Sequence, residues 1–223
     1  MTAAPALATP RTATYHRYLD AAEQAFIHDG YEGASIRRIS GAAGAPLGTL
    51  HHYWGNKAVL FREVCERRFE PIQAEQLRRL QAVSEAVGRA AGSRPRLEAV
   101  VRALVEPPML AASGDATAAT IRLLYGRALT EPSEVVKRIV RELFLEATQR
   151  FRDLLRAACP QLEPEVFYWR MTCALGAFIF AQSFGDRVGF ALPADAPRGE
   201  DWPAATNEIV GFILRGMGLR GMG

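Results

Sequence analysis

Several absences narrow the chemistry open to this chain. Cysteine is scarce: Cys65, Cys159 and Cys173 form an odd set with no Cys-x-x-Cys and no metal-ligand spacing. Three reduced thiols in a cytoplasmic protein are therefore expected, not a disulfide framework or a zinc site. All four histidines fall within the first 52 residues, and only His51 and His52 are neighbours. Adjacent residues project about 100° apart on a helix, so this pair cannot chelate one ion. No Glu-x-x-His or His-x-x-x-His pair occurs, which removes the common helical metal sites. No Gly-rich phosphate loop, nucleophile elbow or pair of catalytic carboxylates stands out either. We expect no metal, no cofactor and no enzymatic activity.

Charge of one sign is also in short supply. Lysine occurs twice, at Lys57 and Lys137, and the net charge is only +3. Any nucleic-acid binding must then come from local placement of polar groups rather than bulk charge. Alternating strand patterns are missing, so the fold class expected is all-α. The opening MTAAPALATP lacks a basic region followed by an apolar run; it reads as a disordered lead-in, not a secretion signal.

What the chain does contain is concentrated in SIRRISGAAGAPLGTLHHYWGNKAVL, residues 35–60. Ser35 is suited to cap a helix, and Ile36, Ile39 and Ala43 then recur at helical spacing. Gly44 stops that helix by reaching a left-handed conformation. Pro46 suits the start of a second, short helix over residues 47–54, with Leu50 turned inward. Gly55 and Asn56 break it, and Lys57 opens a longer third helix. Ser40, four residues before Gly44, is small where the two short helices pass closest. Upstream, Tyr15, Leu19, Ala22 and Phe26 predict a helix over residues 11–29, ended by Gly30. The result is a three-helix head containing a helix-turn-helix, whose second helix lies in a DNA major groove.

The run GTLHHYWGNKAVL, preceded by GYEGASIRRISGAAGAP, resembles the N-terminal domain of TetR-type transcriptional repressors over about 45 residues. The resemblance implies DNA contacts from Thr49 and Tyr53 to phosphate, from Lys57 to the backbone, and from His51 and His52, the latter to phosphate or a base edge. One of Arg37 and Arg38 would touch the backbone, or both are simply solvated. The chain departs from the family pattern at Leu47, often polar or basic there, and at His51, commonly tyrosine. Gly41 inside the first short helix costs roughly 1 kcal/mol relative to alanine. These departures bear on phosphate grip and on which operator is read.

The rest of the chain predicts a helical body over residues 61–223, against a head over 11–60. The helix from Lys57 continues toward Gly88, with a kink expected at Pro71. A helix over 95–105 is expected to end at the paired prolines of EPPML. Helices over 117–129, 134–158, 164–185 and 202–214 follow, with a loop over 191–201 and a flexible tail. Between Val166 and Phe184 the only charge is Arg170, so that helix is buried on all sides or spans a membrane. Arg170, Gln182 and Ser183 favour burial. Its small stripe, Cys173, Ala174, Ala177 and Ala181, together with Ile209 and Phe212, predicts the seam of a homodimer. Two heads so paired would meet a pseudo-palindromic operator in double-stranded DNA. Leu124, Tyr125, Phe144, Met171 and Phe178 either line a cavity for a small apolar effector or are plain core, with Arg127 and Gln182 placed to hold a ligand's polar end. The competing reading is a helical ligand-binding or structural bundle without sequence-specific DNA binding.

Overall fold

Two apolar clusters hold the chain together, and one helix runs through both. The structure, a computed structural model, describes residues 13–89, 93–111, 113, 116–184 and 201–218. Among them are nine helices and no strand: α1 (Ala13–Gly33), α2 (Ile36–Ala42), α3 (Leu47–Trp54), α4 (Lys57–Arg89), α5 (Leu97–Ala111), α6 (Ala116–Thr130), α7 (Glu134–Ala158), α8 (Pro164–Phe184) and α9 (Trp202–Gly218). The first cluster joins Tyr18, Phe26, Ile39, Leu50 and Trp54 of the head to Leu124, Tyr125, Val136 and Ile139 of α6 and α7. The second gathers Val100, Met109, Phe151, Phe178 and Ile213 from α5, α7, α8 and α9. Helix α4 gives Leu60, Phe61, Val64 and Phe69 to the first and Leu80 to the second. At 33 residues it is about 50 Å long, a rod linking head to body. The expected loop over 191–201 lies outside the described residues except for its last position.

Proline behaves differently from expectation in α5. Helix α4 runs on through Pro71, as expected, with Phe69 and Ile72 buried on either side of it. Helix α5 does not stop at Pro107 and Pro108 but continues to Ala111. A proline at 108 leaves the carbonyl of Leu104 without its usual N–H four residues on. The buried Gln76 of α4 replaces it, its Nε2 donating to that carbonyl at 2.7 Å, and the prolines themselves are buried. A side chain from another helix thus repairs what the local sequence breaks.

Helix α8 is not enclosed on all sides within this chain. Phe167, Ala174, Phe178, Gln182 and Ser183 point inward and are buried, whereas Val166, Tyr168, Trp169 and Phe180 are exposed. The small stripe divides accordingly. Cys173 faces outward, Ala174 is packed inside its own subunit, and Ala177 and Ala181 are half-buried. On α9, Ile209 is half-buried and Phe212 is 59% exposed. No described helix is long and apolar enough to cross a membrane.

Candidate nucleic-acid interface

The helix-turn-helix is built by short-range chemistry and then clamped by α1. The Ser35 side chain caps α2 by accepting from the Arg38 N–H, and Ser40, buried where the helices meet, donates its hydroxyl to the Ile36 carbonyl at 3.0 Å. Gly44 takes a φ of 62°, the left-handed turn foreseen for it. Two side chains of α1 hold the turn: Arg17 Nε donates to the Ala43 carbonyl at 3.1 Å, and the Tyr18 hydroxyl lies 2.5 Å from the Pro46 carbonyl and 3.1 Å from that of Ala45. Trp54 stacks on Tyr15 at a 5.1 Å centroid distance and donates its indole N–H to Glu63. These contacts fix the angle of α3 to the rest of the head.

Around α3 the residues sort by burial in pairs one turn apart. Leu50 and Trp54 are buried, Thr49 and Tyr53 are half-buried, and Leu47, Gly48, His51 and His52 are exposed. The exposed and half-buried positions make a convex strip of hydroxyl and imidazole groups, the chemistry that contacts phosphates and base edges. The ring of Tyr53 leans edge-on against Tyr15. Arg37 is exposed on α2; Arg38 is exposed beside it and paired with Asp29.

Lys57, expected at the DNA backbone, is half-buried and makes contacts within the head. Its ammonium donates to the carbonyls of Tyr31 at 2.8 Å and Ala34 at 3.4 Å, and sits 4.5 Å from the centre of the Tyr31 ring. Both carbonyls lie just past the break that Gly30, with φ 72° and ψ 177°, makes in α1. Burial, then Glu32, raises the pKa of the Tyr31 phenol.

Two polar joints missed in the sequence attach the head to the rest. Glu23, 3% exposed, accepts from Arg67 at 2.9 Å and from both nitrogens of an Arg68 fork at 2.6 and 2.8 Å. Donating to the Glu23 carboxylate holds the Arg68 guanidinium more firmly protonated than usual. At the other joint Gly30 has φ 72°, and a Cβ there would lie 2.7 Å from Arg127 Nη2 and 2.8 Å from Glu131 Oε2. The next residue, Tyr31, donates its N–H to the buried Glu131 carboxylate at 3.1 Å. Partners 44, 45 and 100 positions apart leave no local periodic signal.

The residues expected to hold an effector fall into two groups. Leu124, Tyr125 and Phe144 pack in the first cluster, with Tyr125 edge-on to both Phe69 and Phe144. Met171 and Phe178 belong to the second. Arg127 stands at the Gly30 joint, and Gln182 donates to the Pro108 carbonyl at 3.4 Å while its Oε1 is buried without a partner. Clefts open elsewhere among the described residues. One, of about 180 Å³, lies between α8 and α9 beside Trp169, Arg170, Cys173 and Phe212. Another, of about 340 Å³, lies between α1 and α2 beside Gln24, His28 and Arg38. Neither borders Leu124, Tyr125, Phe144 or Phe178. Burial pushes the thiols of Cys65 and Cys159 up in pKa, which suits inert packing residues. Among the described residues no group of three histidines, cysteines or carboxylates is arranged to hold a metal ion.

Comparison with known proteins agrees with this geometry. A model of bacterial regulatory proteins of the tetR family matches residues 19–64, and one of the tetracyclin repressor-like C-terminal domain matches residues 102–216, over half of the chain. The HTH-type transcriptional repressor AcnR of Corynebacterium efficiens is 38% identical over 58 residues, which cover 24% of this chain and 31% of that protein. The matched segment is thus under a third of that relative's length. A tetR family transcription regulator from Shewanella sp. PV-4 superposes with a TM-score of 0.60 at 18% identity, covering 94% of this chain and all of the other. The fatty acid degradation regulator FadR of Bacillus halodurans superposes at 0.57 with 17% identity, over 92% of this chain and all of the other.

Proposed function

This chain belongs to the TetR family of bacterial regulatory proteins, and on that premise we propose that it is a DNA-binding repressor working as a homodimer in the cytoplasm. The observation that carries the reading is the strip on α3, clamped by Arg17 and Tyr18 at the turn and made of Thr49, His51, His52 and Tyr53. In use, α3 enters the major groove, Thr49 and Tyr53 grip phosphate, His51 and His52 face the groove, and Arg37 or Arg38 meets the flanking backbone. Lys57 serves from within, holding the start of α4 to the end of α1.

The exposed apolar side chains of α8 and α9, Trp169, Phe180 and Phe212 among them, support a two-fold seam along these helices, with Cys173, Ala177 and Ala181 in it. A small, largely apolar effector in the body would release the operator by favouring a head spacing that does not fit DNA; equal affinity for both spacings would shift nothing. The apolar interior of the body and the unpartnered Oε1 of buried Gln182 favour a molecule with one polar end. The reading is tested by a gel shift with the DNA upstream of the protein's own gene, repeated across salt concentrations. Binding that weakens as salt rises, at a defined site, supports it; no shift against that DNA favours a helical bundle without sequence-specific binding.

A further inference from the structure

Leu47 is out of character on the face where it stands. Among the described residues up to residue 60, the large apolar side chains left exposed are Leu47 and Val59, and Leu47, 43% exposed, is the one on α3. It shares the exposed strip with His51 and His52 and neighbours Gly48, where an added Cβ would meet nothing within 4 Å. Neither an exposed leucine nor a helix-weakening glycine is demanded there by packing inside this chain. Both suit a partner that comes close to the first turn of α3 and offers an apolar group.

His51 adds a second constraint. Its Nδ1 lies 2.9 Å from the Gly55 carbonyl. A carbonyl oxygen only accepts, so Nδ1 carries the proton, and Nε2 is the acceptor of that tautomer. Leu47 and His51 are four residues apart, hence on one side of the helix with Cβ atoms about 6 Å apart, the span of about two base steps.

In the major groove the apolar feature of a base edge is the thymine methyl, and the donors are the amino groups of adenine and cytosine. We propose that Leu47 reads a thymine methyl and His51 accepts from the amino group of an adenine or cytosine about two base pairs away, so that each half-site pairs these two features. This rests on the DNA-binding reading above. Leu47 then selects by contact area with the methyl, and His51 selects against guanine, whose groove edge presents only acceptors to the Nε2 lone pair.

The test starts from a pool of random duplexes offered to the full chain at pH 8, followed by replacing each thymine of the selected site in turn with deoxyuridine, which lacks only the methyl. The expected result is one thymine per half-site whose replacement weakens wild-type binding by about three- to tenfold, and has no effect on Leu47→Ala, a variant whose exposed position leaves folding intact by circular dichroism. His51→Arg should move the preference at the partner position to guanine, which arginine contacts in a bidentate manner. A selected site at which no thymine is methyl-sensitive, or is equally sensitive in Leu47→Ala, overturns the assignment while leaving the DNA-binding reading standing. Failure of the wild type to enrich any sequence overturns both.

Discussion

Among the described residues, those up to residue 60 leave Leu47 and Val59 exposed as large apolar side chains; those beyond it leave Leu110, Leu123, Leu145, Val166, Tyr168, Trp169, Phe180 and Phe212. The head is closed by polar ties at fixed points: Tyr18 and Arg17 on the turn, Lys57 on the end of α1, Glu23 on Arg67 and Arg68. The body has polar ties of its own, Gln76 on the Leu104 carbonyl, Arg79 on Glu106 and Arg102 on Asn207, but α8 and α9 keep an apolar face turned outward. A region that must present a rigid strip is braced by hydrogen bonds of defined geometry. The region proposed to pair with a copy instead offers exposed apolar side chains, Trp169 and Phe212 among them. The two meet at α4 and at the Gly30 joint with Arg127 and Glu131.

This contrast can be broken from either side. The largest effect is expected from Phe212→Glu, which places a charge on each side of the proposed two-fold. Light scattering should report a dimer for the wild type and a monomer for the variant, with the head still folded; a variant that stays dimeric at micromolar concentration removes α9 from the seam. Next comes Glu23→Ala, which strips a buried carboxylate from two arginines. Because both guanidiniums keep some access to water, with 23% of each side chain exposed, we expect a loss of about 2–3 kcal/mol rather than the full penalty for an orphaned buried charge. Urea unfolding measures it, and a loss below about 1 kcal/mol would mean that the head does not depend on polar ties.

Gly30→Ala should cost about 1–3 kcal/mol, since a Cβ is disfavoured both by the positive φ and by its approach to Arg127 and Glu131. A melting temperature equal to the wild type's would deny that this joint is tight. Lys57→Ala sharpens the comparison most finely. It removes charged hydrogen bonds to two carbonyls and should cost about 1–2 kcal/mol of head stability, while the salt slope of DNA binding stays as in the wild type. A slope reduced by about one would return Lys57 to the phosphate backbone.

The head was legible because its signals are local. A capping serine, a left-handed glycine and an eight-residue helix between Pro46 and Gly55 are each readable within a few residues, and the boundaries of α2 and α3 follow from them. What was not legible depends on distance in the chain. The continuation of α5 past Pro107 and Pro108 relies on Gln76, 28 residues before Leu104. The engagement of Lys57 relies on Tyr31, 26 residues away. Helix α8 is apolar around its whole circumference, so nothing in its pattern separates the face packed in its own subunit from the face left open. Leu124 and Phe178 were grouped from helical spacing alone yet enter different clusters, because helix spacing does not say which neighbour each face meets.

The central claim is that the strip on α3 reads DNA, and a gel shift on the region upstream of the protein's own gene, comparing wild type with Thr49→Ala/His52→Ala, tests it most directly. Both positions leave the buried core of α3 untouched, so melting temperatures should match. The account predicts a wild-type Kd of about 10 nM or tighter at moderate salt, and a loss of at least about tenfold in the double variant. Equal affinity of the two proteins for that DNA would contradict it.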